Sequence, residues 1–320
     1  MKILVTGATG FIGRQACREL TASGHEVTAT ARTVGRAVGI DAARIVVTGP
    51  VTPETDWSEA LAGVEAVLHL LSPYVAGDGF APGETDPARQ MIETARALTQ
   101  QAAGANVLRL VHTSSIKASG EATTHTPFGP ENLGDPVSEY GKAKRDTELA
   151  IAEASAGTRM STVSVRPPVV YGPGEHGSIR RLIGLLSDKP GWMLPLNVKT
   201  NRRSFIYVGN LVSALIACLK VPGEGHRTIF IQDERAVSTA ELSGAILRAL
   251  GRSEQLGLTP PAWLGRHLGG VGRRLYGSLE IDDSLCRLEL GWRPAVTLDE
   301  AMSAAVAAFR EEAASCNWPC

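Results

Sequence analysis

The chain opens Met1-Lys2-Ile3-Leu4-Val5-Thr6-Gly7-Ala8-Thr9-Gly10-Phe11-Ile12-Gly13, and these residues decide the fold. Ile3, Leu4 and Val5 read as a buried strand. Gly7, Gly10 and Gly13 turn the chain, and a run from Phe11 to about Ser23 reads as a helix. A strand feeding a glycine turn feeding a helix aims free backbone N–H groups and a positive helix end at one point, which suits a pyrophosphate. The glycines have separate jobs. Gly7 permits the tight turn, Gly10 lets phosphates approach the backbone, and Gly13 lets the helix pack close to the strands. The spacing is G-x-x-G-x-x-G. It carries weight because it follows a strand and precedes a helix; a glycine triplet outside that context would be a plain turn.

Working outward, Gly24 reads as a helix cap and His25 to Ala31 as a second strand. An acidic residue after that strand would bond a ribose 2′-hydroxyl. This chain has Arg32, with Arg36 close by. An arginine pairs instead with a 2′-phosphate, so NADP(H) is favoured and NAD(H) is the alternative. Arg32 could also simply stack on the adenine or face solvent. Strands are expected at Ala43 to Thr48, Val64 to Leu71, Val107 to His112 and Met160 to Val165. Helices are expected at Ala88 to Ala103 and Ser138 to Ala156. A flexible loop, Ala76 to Pro87, falls where open α/β sheets bind ligands.

This alternation predicts an α/β chain: a Rossmann doubly wound parallel sheet with a smaller C-terminal substrate domain. The dinucleotide-binding unit is expected at 1–167 plus 203–233, and the substrate unit at 168–202 plus 234–320. Gly, Pro and short elements dominate from Tyr171 to Arg203. A strand at Thr228 to Ile231 lies between helical stretches at Asn210 to Lys220 and Ser238 to Leu250, and Leu298 to Glu312 reads as a last helix.

Length and charge bound the function. At 320 residues and 43% hydrophobic content, the chain can bury one large core or two modest ones. A net charge of −1 gives no global field toward nucleic acid or a membrane surface. Cys17, Cys218, Cys286, Cys316 and Cys320 are odd in number and scattered, so neither a metal site nor a disulfide framework is suggested, and reduced thiols in a cytoplasm fit. The start does not read as a signal peptide, and the weakly polar run Ser204 to Leu219 is too short and polar to span a bilayer.

Ser115, Tyr140 and Lys144 form the candidate catalytic constellation. Hydride transfer between an alcohol carbon and a nicotinamide needs a proton donor or acceptor on the oxygen. A free phenol, with a pKa of about 10, is too weak a base. Lys144 lies one helical turn beyond Tyr140, on the same face. Its ammonium would lower that pKa, and it could also bond the nicotinamide ribose. The Ser115 hydroxyl would hold the substrate oxygen. A Tyr and a Lys four apart are more often surface neighbours, so the glycine turn in the same chain matters. His69 reads as a sheet residue satisfied by a backbone bond.

The chain resembles the extended short-chain dehydrogenase/reductase family, the group that includes NAD-dependent epimerases and dehydratases. The resemblance rests on Thr6 to Gly13, Val67-Leu68-His69-Leu70, Thr113-Ser114-Ser115, Tyr140-Gly141-Lys142-Ala143-Lys144, Arg166 to Gly174, Arg203 to Val208 and Leu290-Gly291-Trp292-Arg293-Pro294. The family's serine lies five residues before a glycine, so Gly120 selects Ser115 over Ser114. The resemblance implies cofactor contacts from Gly7, Thr9, Gly10, Phe11, Ile12, Gly13, Arg32, Leu70, Leu71, Thr113, Tyr140, Lys144, Pro167 and Val169. Within the family the chain looks most like the nucleotide-sugar branch. Ser114-Ser115-Ile116-Lys117 with Gly120-Glu121, and Asn201-Arg202-Arg203-Ser204, are similar to reductases of UDP-4-keto-6-deoxy-N-acetylhexosamines, which are close to UDP-glucose 4-epimerases. Dehydratases of the branch carry an Asp-Glu pair where this chain has Ile116 and Lys117.

The resemblance implies an NAD(P)-dependent oxidoreductase acting at C4 of a UDP-linked sugar, as a 4-ketoreductase or a 4-epimerase. Substrate candidates are Ser72, Lys117, His176, Arg203 and Arg274, with Arg273 and Arg202 as surface charges or a diphosphate clamp. Lys117 and Glu121 are equally readable as a loop ion pair. Ser119 stands where epimerases of the branch often have tyrosine. The family pairs through the helices at Ala88–Ala103 and Ser138–Ala156, which implies a homodimer. The rival readings are a reductase of a non-sugar ketone and a non-catalytic dinucleotide sensor.

Overall fold

The computed structural model describes residues 1–72, 86–220, 223–259, 272 and 275–316. Most of the expected loop 76–87, and Arg273 and Arg274, lie outside the described residues. The strands are β1 (Lys2–Thr6), β2 (Glu26–Ala31), β3 (Arg44–Val47), β4 (Ala66–His69), β5 (Arg109–Thr113), β6 (Ser161–Arg166), β7 (Val169–Tyr171), β8 (Phe205–Tyr207) and β9 (His226–Phe230). Among the described residues, seven form one parallel sheet in the order β3-β2-β1-β4-β5-β6-β9. Strands buried on both faces need apolar runs, and β1, β4 and β6 are buried almost throughout. The α-helices before β6 are α1 (Phe11–Ala22), α2 (Ser58–Leu61), α3 (Pro87–Gly104) and α4 (Glu139–Ser155).

Strand order reverses between β1 and β4, so the crevice at their carboxyl ends is the topological switch point where such sheets take ligands. The glycine turn leaves β1 there, and Leu70 to Ser72 leave β4. The parallel register sets Thr6 beside His69, His69 beside His112 and His112 beside Ser164. A polar line therefore crosses four strands just beneath the crevice. The Thr6 hydroxyl lies 2.7 Å from His69 Nδ1 and the Ser164 hydroxyl 3.3 Å from His112 Nδ1. The partner of His69 is thus a hydroxyl across the sheet, not the expected backbone group.

One core packs α1 and α6 (Val208–Lys220) on the sheet, and another packs α2, α3 and Ile151 of α4 on the opposite face. A third gathers Tyr171, Ile183, Leu196, Ile246 and Val306. It joins α5 (Ser178–Asp188), α7 (Thr239–Ala249) and the final helix, Leu298–Cys316. Strand β8 serves two cores by its alternation: Ile206 faces the sheet core, while Phe205 and Tyr207 face the third. It pairs with β7 in a separate two-stranded parallel sheet. The 11-residue helix α5 lies inside the stretch where Gly, Pro and short elements are expected to dominate. Cys17, Cys218 and Cys286 are buried free thiols. No described helix is long and apolar enough to cross a membrane.

Candidate active site

Gly7 has φ +73, and a Cβ there would lie 2.8 Å from the Leu70 carbonyl carbon and 2.9 Å from Leu71 N. The residue therefore permits both the turn and its contact with the end of β4. A Cβ on Gly13 would collide with the Gly7 carbonyl and sit 2.7 Å from Ala8 Cα, so helix α1 packs directly on the turn. A Cβ on Gly10 would meet, among the described residues, just the Gly7 oxygen at 3.3 Å. That side is open. Gly10 caps α1 with no side-chain acceptor, and the first turn holds no acidic residue. The helix end thus keeps its N–H groups and positive field for an anion. Thr9, Phe11 and Ile12 line the same turn. These residues fit the pyrophosphate of a dinucleotide.

Helix α4 starts at Ser138, whose hydroxyl accepts the Gly141 N–H at 3.3 Å. A side chain on Gly141 would strike the Lys117 carbonyl. That glycine lets α4 close on the 3₁₀ turn Ile116–Ala118, which follows Ser115. The Tyr140 hydroxyl is hydrogen-bonded by the hydroxyls of Ser115 and Ser72. Ser72 follows Leu70 and Leu71, the residues packed on Gly7. The catalytic candidate and the glycine turn therefore face one crevice, joined by three consecutive residues. Lys144 Nζ sits 5.9 Å from the Tyr140 ring centre and donates to the Thr113 carbonyl at 3.1 Å. Pro167, whose carbonyl accepts the Ile116 N–H at 2.9 Å, holds the serine turn from the β6 side. Val169 begins β7 just beyond it.

Comparisons with known proteins place the chain in a family. The model of the NAD dependent epimerase/dehydratase family matches residues 3–231. The chain belongs to that family. It is an NAD-dependent enzyme of the short-chain dehydrogenase/reductase type. It is 30% identical over 320 residues to a UDP-glucose 4-epimerase of Vibrio cholerae, covering 96% of this chain and 95% of that one. It is 27% identical to a 2-alkyl-3-oxoalkanoate reductase of Stenotrophomonas maltophilia, over 78% of this chain and 76% of that one. A crystal structure of a UDP-glucuronic acid 4-epimerase from Bacillus cereus, in complex with UDP-glucuronic acid and NAD, superposes with a TM-score of 0.75. It is 21% identical and covers 98% of this chain and 100% of that one.

The electrostatics of this family member differ in one respect from expectation. Burial pushes the Tyr140 phenol up, and the Ser115 and Ser72 hydroxyls offset part of that rise. The phenol of the protein alone is therefore a proton donor at neutral pH rather than a ready base. Burial also lowers Lys144, to about 8, against the opposing pull of Glu148. His69 is driven down to about 3, first by burial and then by Lys144, and His112 falls well below its usual value for the same reasons. Both imidazoles are neutral walls of the lysine's pocket.

The substrate candidates scatter. Ser72 is at the phenol. Lys117 lies 5.8 Å from the Tyr140 ring centre and pairs with Glu121 at 3.7 Å, so the loop ion pair forms beside the site. The loop holding exposed His176 reaches the glycine turn through Gly174, where a Cβ would lie 3.8 Å from Phe11. Arg203 donates to the Gly277 carbonyl at 3.2 Å. Arg202 points elsewhere, to Glu241 at 2.6 Å. That pair lines an open cleft of about 760 Å³, in which Arg235, Arg248 and Asp299 are also ion-paired. None of the trio lines that cleft. Arg32 lies directly after β2 as expected. Sequence reasoning missed Glu148 and gave no structural role to Arg166, its buried partner at 2.6 Å, or to Ser119, which accepts from Arg166 at 2.8 Å.

Proposed function

We propose that the chain interconverts C4 epimers of a UDP-linked sugar, or reduces the corresponding 4-keto sugar, through Ser115, Tyr140 and Lys144. The observation that carries the reading is the Tyr140 hydroxyl, bonded to Ser115 and Ser72 and backed by Lys144, at the end of the strand that packs on Gly7. The Vibrio cholerae relative, alike over nearly the whole chain, supports the epimerase form. Gly7, Thr9, Gly10, Phe11, Ile12 and Gly13 hold the pyrophosphate. Leu70, Leu71, Thr113, Pro167 and Val169 line the nicotinamide side. When bound, the dinucleotide supplies hydride exchange with C4. Ser115 fixes the O4 atom, and Tyr140 takes the O4 proton in one direction and returns it in the other. Lys144 stabilises the phenolate while the proton is away, and Arg203 and Lys117 face the substrate's oxygens.

Arg32, standing where an acidic residue would bond a ribose, supports NADP(H); the family's own cofactor and the Bacillus cereus complex support NAD. One experiment separates the forms. The purified chain is denatured and the released dinucleotide identified, and NADPH consumption is followed on UDP-4-keto sugars. Stoichiometric retained NAD with no net NADPH consumption selects the epimerase. An empty protein that oxidises NADPH selects the reductase. A second reading, reduction of a non-sugar ketone, is supported by the Stenotrophomonas maltophilia relative, and turnover of β-keto acids with none of UDP-sugars would establish it. We also propose a two-unit division close to 1–167 plus 203–233 and 168–202 plus 234–320. A cytoplasmic homodimer formed through α3 and α4 completes the reading; Leu149, exposed on α4, supports that surface.

Turnover should fall as pH rises through about 8. Lys144 is lowered to about 8 by burial, so its ammonium is present below that value and lost above it. Loss of the charge removes what stabilises the phenolate. A profile of kcat on both sides of pH 8 checks this, and a flat alkaline limb contradicts it.

A further inference from the structure

Tyr140, Lys144 and Glu148 lie at successive turns of α4, so all three project from one stripe. The Glu148 and Arg166 side chains are 4% and 2% exposed. The carboxylate accepts from Arg166 Nε at 2.9 Å and Nη2 at 2.6 Å, and also from the Ser114 hydroxyl. Arg166 donates further to the Ser119 hydroxyl and to the Leu133 carbonyl at 3.3 Å, and lies 5.4 Å from the Phe230 ring centre. Glu148 thus ties the tyrosine helix to the residue before Ser115 at the end of β5 and to the last residue of β6.

We propose that Glu148 is a positioning residue of this centre: its carboxylate keeps Lys144 charged and fixes the Ser114–Ser115 turn against the Tyr140 helix. The groups facing Lys144 make the case. From β4 and β5 come neutral His69 and His112, and from β5 the Thr113 carbonyl. From its own helix come the Tyr140 ring and Glu148. Among these, Glu148 is the anion. It opposes the burial that would strip the proton from Lys144. Arg166 pairs with the carboxylate at 2.6 Å, in a buried place where an unpaired charge would be costly. The serine turn is held by Oε1 of the same carboxylate, so charge and geometry are set by one group.

The proposal rests on Lys144 as the partner of Tyr140, and its test is chosen to be independent of any substrate. The full-length chain is labelled with ¹³C at lysine Cε. The Lys144 signal is assigned by its loss in Lys144→Met and titrated in the parent, in Glu148→Gln and in Glu148→Gln/Arg166→Met, where no unpaired guanidinium remains. The expected result is a midpoint lower by about one pH unit in both substituted chains, the usual scale for loss of a nearby opposite charge. With UDP-galactose as probe, the alkaline limb of kcat moves down by the same amount while KM holds. A Lys144 midpoint equal to the parent's in a folded substituted chain overturns the proposal and leaves a structural ion pair. Failure of both substituted chains to fold assigns the pair to structure and overturns it as well. Absence of turnover on UDP-sugars, with the midpoint shifted, sinks the substrate reading and leaves this one standing.

Discussion

Tyr140→Phe is expected to lower turnover about a thousandfold while leaving dinucleotide affinity unchanged. The ring remains to pack between Lys117 and Lys144, at 5.8 and 5.9 Å, so the crevice keeps its shape. What leaves is the one atom bonded to both Ser115 and Ser72. Positioned proton transfer contributes about 10²–10⁴-fold to such reactions. Among the described residues, the two histidines nearest the lysine do not replace the phenol: His69 and His112 are buried at the sheet and held neutral. Lys144 donates to the Thr113 carbonyl. The check is a coupled assay on UDP-galactose beside titration calorimetry with NAD and NADP. A loss under tenfold, with binding intact, would falsify the assignment of Tyr140 as the proton carrier.

What could be read from the chain, and what could not, follows from the range over which sequence signals act. The glycine turn was legible because its three residues meet each other: Gly13 packs on Gly7, and Gly7 on the end of β4. The Tyr140–Lys144 pair was legible because a helix fixes the distance. Strand limits fell within one or two residues, as expected for buried apolar runs. Helix α5 was obscured by Pro173, Gly174 and Gly177 before it and by Gly184 within it; its apolar stripe, Ile179, Ile183 and Leu186, is the signal that could have revealed it. The Glu148–Arg166 pair is 18 residues apart in the chain, and its meaning comes from burial, which no local pattern records. The direction of the Tyr140 shift was misjudged for the same reason. Charges are visible in a sequence, whereas desolvation depends on what surrounds the group. Gly141, read only as part of a motif, has a steric reason that appears once the Lys117 carbonyl is seen against it.

The same burial sets the largest expected stability effect. Arg166→Met should cost about 3–5 kcal/mol, the usual result of removing one partner from a buried ion pair. Methionine fills much of the space along Phe230 and the sheet, so the loss is mainly electrostatic. Among the described residues, Glu148 would be left with the Ser114 hydroxyl as its donor and Lys144 as the cation that pulls on it. Urea unfolding of the parent and of Arg166→Met at neutral pH measures the size of the loss. A deficit of several kcal/mol is the expected result. A deficit below about 1 kcal/mol at neutral pH, typical of exposed pairs, would mean that water reaches Glu148 and that the pair does not hold the serine turn against the tyrosine helix.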